Sequence, residues 1–180
     1  MKFKNIKDSR ITITQLMLPS HSNFSGKIHG GYILSLMDQI AFACASKHSG
    51  YYSVTASVNK VDFLRPIEVG ELVTLKASIN FTGRTSMVVG VRVVSENIQT
   101  GKINHCNSSY FTMVAKDKNG ESTPVPGIIL EDEDSIRRFA RSIRRQEQTE
   151  SRSERFKEGN FNINEHLKEL DDENVKININ

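Results

Sequence analysis

The chain has 180 residues, 37% of them hydrophobic, with 24 Lys and Arg against 21 Asp and Glu for a formal net charge of +3. That is enough for one domain with its own apolar core, without help from disulfides or metals. No apolar run approaches the roughly 20 residues a bilayer span requires, and the interleaved aromatic and basic residues that stack nucleic-acid bases are missing. The N-terminal MKFKNIKDSRITI is basic but lacks the apolar block of a secretory signal, so the expectation is a cytoplasmic protein. Cys44 and Cys106 fall in a helical and a strand pattern and are expected to be reduced core thiols. Charge divides the chain: residues 1–130 carry fourteen basic against eight acidic side chains, and residues 131–180 ten against thirteen. The expected organisation is therefore a domain over 1–130 and a charged, partly helical extension over 131–180.

RITITQLM predicts a first strand, with Ile11 and Ile13 alternating with threonines before Pro19. PSHSNFSGKIHGG reads as a loop by its Pro, Ser, Asn and Gly content. A helix follows from Gly31 to Lys47, stopped at Gly50. It is apolar or small on nearly every side, as in a helix buried on most faces, yet it carries Asp38 in its middle. An ionised carboxylate removed from water costs several kcal/mol unless paired or hydrogen-bonded, so Asp38 is a candidate for chemistry.

The period then changes to two. Val54, Ala56 and Val58 share one face and, after a bulge expected near Lys60, Val61 and Phe63 continue it. Leu75, Ala77, Ile79 and Phe81 alternate in the next strand, and Met87, Val89, Val91 and Val93 in the one after it. INHCNSSYFTMVAKD supplies the last long strand before a turn around Gly120. One-sided strands with a single apolar helix to cover them predict an α+β fold, a long antiparallel sheet wrapped around one central helix. Such a sheet keeps an open edge, which predicts pairing with a second copy. In the extension, Ile136, Phe139, Ala140 and Ile143 at helical spacing predict a short amphipathic helix docked on the body, and NVKININ is expected to fray or to pair with a partner.

Asn23, IHGGYILSLMD, VNKVDFLRPIEVGELV, GRTSMVVGVRV, SSYFTMVAKDKNG and PVP, in that order, resemble the hotdog-fold acyl-CoA thioesterases of the bacterial broad-specificity and brain acyl-CoA hydrolase type. The resemblance runs from about Asn5 to Gly127. It implies hydrolysis of acyl-CoA to fatty acid and free CoA, with Asp38 as the catalytic carboxylate and Asn23 as its partner from the other subunit of a dimer. It also implies a trimer of such dimers. Coenzyme A enters as part of the substrate, and no separate cofactor is expected.

The residues bear on these roles by themselves. Asp38 lies two helical turns after Gly31, on the same face. Gly30 and Gly31 open the helix, where free amides and the positive dipole end can stabilise an oxyanion. Asp38 could activate a water or attack directly. Asn23 sits in turn chemistry, and His29 is expected to pack or to line the substrate. Thr82–Ser86 joins two strands with a glycine, hydroxyls and Arg84, whose fork can meet a phosphate. The family places this region near the nucleotide, so Arg84, Thr85 and Ser86 are candidate CoA-binding residues, with Arg65 a weaker one. No His, Cys and acid cluster has metal-ligand spacing, so no metal is expected. Two other hotdog functions compete: a hydratase or dehydratase, which would need a His and acid pair, and a non-catalytic acyl-CoA sensor, which would carry a DNA-binding module.

Overall fold

The computed structural model describes residues 2–155 and residue 175, with side chains through residue 148 and at Val175; of the NVKININ segment only Val175 is among the described residues. Two compact units divide the chain, Met1–Ser142 and Ile143–Asn180.

Five strands form an antiparallel sheet: β2 (Ile11–Leu16), β3 (Tyr52–Val58), β4 (Leu72–Thr82), β5 (Ser86–Asn97) and β6 (Lys102–Lys116), in the order β2-β4-β5-β6-β3. Against one face lies α2 (Gly30–Ser49), ended by Gly50 in the left-handed conformation at φ 79°, where glycine has no Cβ to clash. Ile33, Met37, Ile40, Ala41, Cys44 and Ala45 sit at helical spacing and are buried with Leu75, Ala77, Ile79, Met87, Val89, Val91 and Val93. Each fully buried aliphatic side chain contributes about 1.5–3 kcal/mol relative to exposure, and this contact holds the unit together. The helix is not sealed all round: Leu34 and Phe42, on the stripe that includes Asp38, are exposed in the single chain.

The expected curled antiparallel sheet around one helix is therefore present, with three local corrections. The bulge in β3 lies between Thr55 and Ser57, not near Lys60. Beyond Val58 the chain leaves the strand but stays tied to β6, by the Asn59 N–H donating to the Tyr110 carbonyl at 2.9 Å, the Leu64 N–H to that of Cys106 at 2.9 Å, and the Ser109 hydroxyl donating to the Asn59 carbonyl at 3.1 Å. Val58 and Phe63 stay exposed, whereas Ser53, buried, and Thr55, bonded to Asp38, are the β3 side chains that meet the helix side. Second, a register shift between Ile79 and Phe81 takes Phe81 out of the core face and onto Phe139, ring centroids 5.0 Å apart. Third, the tail helix α3 (Glu133–Arg155) is longer than expected. Within the first unit it packs through Phe139, with Ser135 and Ser142 buried beside it, while Ile136 remains 54% exposed.

Alternation alone hid a clasp at the termini of this unit. β1 (Phe3–Asn5) pairs in parallel with β7 (Gly127–Ile129), joined to β2 by the short helix α1 (Ile6–Ser9). The clasp closes on His48, fully buried near the end of α2: Lys4 Nζ donates to the His48 carbonyl at 2.6 Å, and His48 Nε2 lies 3.0 Å from the Pro126 carbonyl. A carbonyl only accepts, so Nε2 carries the proton, and Nδ1 is buried without a partner among the described residues. Protonating Nδ1 would bury an unpaired donor. Burial first, then the charge of Lys4, holds the His48 pKa below 6.5, partly offset by the bond to Pro126.

A group with a lowered folded-state value takes up more protons when unfolded, so its contribution is present above pH 6.5 and is lost as pH falls below it. Thermal melts on both sides of that value should show the protein losing stability toward acid. His48→Gln keeps a donor for Pro126 but cannot titrate, and should show a shallower acid slope. Equal slopes in the two proteins would remove His48 from this role.

Candidate active site

Asp38 stands in the third turn of α2, half-buried, and its Oδ1 accepts the Thr55 hydroxyl at 2.5 Å. Sequence reasoning expected a buried carboxylate and did not single out Thr55. In the single chain Asp38 is reached from solvent, because β3 is the last strand of the sheet and no strand among the described residues pairs beyond it. Thr55 Oγ1 also comes within 3.4 Å of Met113 Sδ. The one available signal was a threonine among the small polar residues of an edge strand. The carboxylate has a dedicated donor, and charge-assisted bonds of this kind are about twice as strong as neutral ones.

At the start of the same helix the Gly31 N–H donates to His29 Nδ1 at 3.0 Å, so His29 is the N-cap of α2. A Cβ on Gly31 would come within 3.0 Å of that ring, and one on Gly30 within 3.2 Å of Phe63. Neither glycine can gain a side chain without moving its neighbour. The Gly30 N–H meets no acceptor among the described residues. The structure therefore brings together Gly30, Gly31 and His29, with Asp38 two turns along the helix.

Asn23 lies in the exposed loop before the helix. Its Oδ1 accepts from the Ser25 hydroxyl at 2.7 Å, the Ser25 N–H at 3.0 Å and the Lys27 N–H at 3.2 Å, which folds the turn. The carboxamide NH₂ points to no acceptor among the described residues, and no hydrogen bond joins Asn23 to Asp38 within the chain. Phe24, beside it, is fully exposed.

Arg84, Thr85 and Ser86 lie apart, the first two in the turn between β4 and β5 and Ser86 as the first residue of β5. The Gly83 N–H donates to the Ser86 carbonyl at 2.8 Å, while the Arg84 and Thr85 carbonyls accept from Val125 and Ala115 at 3.0 Å each. The backbone of the turn is thus fixed and the exposed Arg84 guanidinium is left without an acidic partner among the described residues. Arg65 is likewise exposed.

Burial, only slightly countered by Lys47, pushes the Cys44 thiol up to about 12, so it stays protonated and is no nucleophile. Among the described residues no group of three His, Cys, Asp or Glu side chains could hold a metal ion, and no helix is long and apolar enough to cross a membrane.

Residues 25–102 match the Thioesterase superfamily. Protein VdlD of Helicobacter pylori is 42% identical over 139 residues, which cover 77% of this chain and 79% of that protein. The acyl-CoA thioester hydrolase YkhA of Bacillus subtilis is 34% identical over 146 residues, 81% and 85% of the two chains. Among solved structures, an apo-hexameric acyl-CoA thioesterase superposes with a TM-score of 0.83 at 37% identity, over 85% of this chain and 98% of the other. The acyl-CoA hydrolase of Staphylococcus aureus, in complex with butyryl coenzyme A, coenzyme A and coenzyme A disulfide, gives 0.78 at 30% identity, over 84% and 92%. That enzyme is also known as variants in which an Asn, an Asp and a Thr are each replaced by Ala; the Asp lies fifteen residues after the Asn, and the Thr seventeen after the Asp. With its curled five-stranded sheet, its central helix and these relatives, the chain belongs to the hotdog-fold acyl-CoA thioesterases, which are thioester hydrolases.

Proposed function

We propose that the protein hydrolyses acyl-CoA with Asp38 as general base or nucleophile, Thr55 holding its carboxylate, Asn23 facing it from a second subunit, and the helix N-terminal amides receiving the oxyanion. The observation that carries this reading is the Thr55–Asp38 bond on the open edge of the sheet. Asn23, Asp38 and Thr55 have the same separations, fifteen and seventeen residues, as the three substituted positions of the Staphylococcus aureus hydrolase. The hexameric relative supports a trimer of dimers.

The chemistry follows from the placement. A thioester laid along α2 puts its carbonyl oxygen toward the positive end of the helix, where the Gly30 N–H is open and the Gly31 N–H becomes open if His29 turns away. His29 thereby lines the substrate as well as capping the helix. Asp38 takes the proton of a water that attacks the carbonyl carbon, or attacks it directly to form an acyl-enzyme anhydride that water then cleaves. In either route the C–S bond breaks, CoA leaves as thiolate, and no separate cofactor is consumed. Thr55 donates to one carboxylate oxygen and leaves the other to face the substrate. The free NH₂ of Asn23 supplies a donor to the water or to the thioester. Arg84, with Thr85 and Ser86, offers the CoA phosphates a fork on a rigid turn, and Arg65 adds a second exposed cation. The compartment expected for such an enzyme is the cytoplasm.

Steady-state kinetics on folded variants test these roles. Asp38→Asn should lower kcat by about 10²–10⁴-fold, the range for loss of a general base. Thr55→Val should lower it by about 10–100-fold, as for a hydrogen bond to a charged group, with Thr55→Ser recovering most of it. Near-normal turnover by Asp38→Asn would overturn the mechanism.

If the site spans two subunits, subunit exchange between inactive Asn23→Ala and Asp38→Ala chains should restore about a quarter to a half of the sites. Demonstrated heterodimers without activity would place both residues in one chain's site.

Arg84→Lys should raise the Michaelis constant for acyl-CoA while kcat falls less, since the phosphate it grips lies away from the scissile bond. An unchanged Michaelis constant would remove Arg84 from the nucleotide site.

A further inference from the structure

On the face of the sheet turned away from α2 lies a cavity of about 510 Å³, floored by β4, β5 and β6 and rimmed by Arg10 and the first turns of α3. That volume is within the range of small-molecule sites. Its floor carries an unfavourable pairing. Lys76 stands directly opposite Arg92 on the neighbouring strand, with uncharged Thr12 and Ser108 on either side of them in the same row. Two cations directly across an antiparallel pair repel, and the usual remedy is a carboxylate between them.

The carboxylates at the rim are engaged elsewhere. Asp134 binds Arg137 at 2.7 Å and Arg138 at 3.5 Å, and Asp132 accepts the Ser135 N–H at 2.6 Å as the cap of α3, with Arg10 adding a weaker attraction. Neither Lys76 nor Arg92 has an ion-pair partner among the described residues.

In the next row, Ser78 faces Gly90, and Gly90 faces Tyr110. Glycine here leaves the floor open, and the Asn80 carboxamide occupies part of the space, since a Cβ on Gly90 would fall 2.3 Å from Asn80 Nδ2. Asn80 and Ser78 are 5% and 9% exposed and joined by a hydrogen bond of 3.1 Å from Ser78 Oγ to Asn80 Oδ1. A buried amide and hydroxyl thus lie beside two adjacent, unbalanced cations in a cavity that the whole thickness of the sheet separates from Asp38.

We propose that this cavity binds a small phosphorylated molecule, with Lys76 and Arg92 on its phosphates and the Ser78–Asn80 pair on its neutral part. A multiply charged phosphate turns the repulsion of the two cations into a shared attraction, which no neutral ligand does. The phosphates can come from a free phosphorylated metabolite or from the nucleotide end of a CoA molecule seated on another copy of the chain.

Calorimetric titration of the full-length protein with inorganic pyrophosphate and with ADP tests the site. Saturable binding of either probe, weakened by about tenfold or more in Lys76→Ser/Arg92→Ser, is the expected result. Gly90→Val, which crowds Asn80 without touching charge, should weaken ADP more than pyrophosphate. Melting temperature and oligomer mass serve as controls for folding. Competition by CoA together with a raised Michaelis constant for acyl-CoA in the double variant identifies the CoA nucleotide as the source. Absence of both identifies a separate ligand, whether or not Asp38 proves catalytic. Absence of saturable binding to the wild-type protein, or equal affinity in a folded double variant, overturns the proposal. So does a fall in oligomer mass on substitution when the wild type binds neither probe, because the cations then serve a neighbouring subunit's carboxylates.

Discussion

The burial of α2 against one face of the sheet is the constraint on which the rest of the structure depends. Ile33, Met37, Ile40, Ala41, Cys44 and Ala45 occupy that face, and a helix turned by one residue would push Asp38 into the same apolar layer. An unpaired carboxylate there would cost several kcal/mol. The helix is therefore held in rotation both by what it buries and by what it must keep out. Asp38 comes to lie at the border, where Thr55 on the edge strand can meet it.

On the proposed mechanism, that border position ties chemistry to assembly. β3 ends the sheet with its outer edge unpaired, and Leu34, Phe42, Val58 and Phe63 remain exposed on the described chain around the carboxylate and the glycines. An open strand edge beside exposed apolar side chains is an arrangement that a second copy completes. The same packing that gives Asp38 its donor thus leaves its other side for a neighbour, in keeping with the hexameric relative.

Long-period features were legible in the sequence, and local departures from period were not. The alternation at Leu75, Ala77 and Ile79 and at Met87 through Val93 placed those residues in the core, because a strand with one dry face has no other way to read. Phe81 broke the pattern through a register shift that alternation cannot reveal, and it went to Phe139 instead. The apolar residues of β3 misled for a different reason: on an edge strand the exposed side need not be polar when a partner is to cover it. In α3, packing falls to Phe139 between buried serines rather than to Ile136, since small side chains let a helix approach closely. Asp38 and the two glycines stood out as chemically unusual, but Thr55 did not, since a threonine in a strand is ordinary until its partner is known. The β1–β7 clasp joins segments more than 120 residues apart, and no local pattern encodes it.

On the mechanism proposed above, the N-terminus of α2 performs two tasks that compete. In the structure His29 satisfies the Gly31 N–H, and an N-cap of this kind contributes about 1 kcal/mol to a helix. A carbonyl oxygen arriving at the same amide must displace the imidazole and forfeit that contribution. As negative charge grows on the oxygen, the bond it accepts becomes charge-assisted and exceeds the neutral one it replaced. A ground-state thioester therefore gains little from the exchange, and the tetrahedral intermediate gains more. An amide held by a neutral cap until charge develops favours the transition state over the substrate, and this is the differential binding that raises kcat instead of only lowering the Michaelis constant.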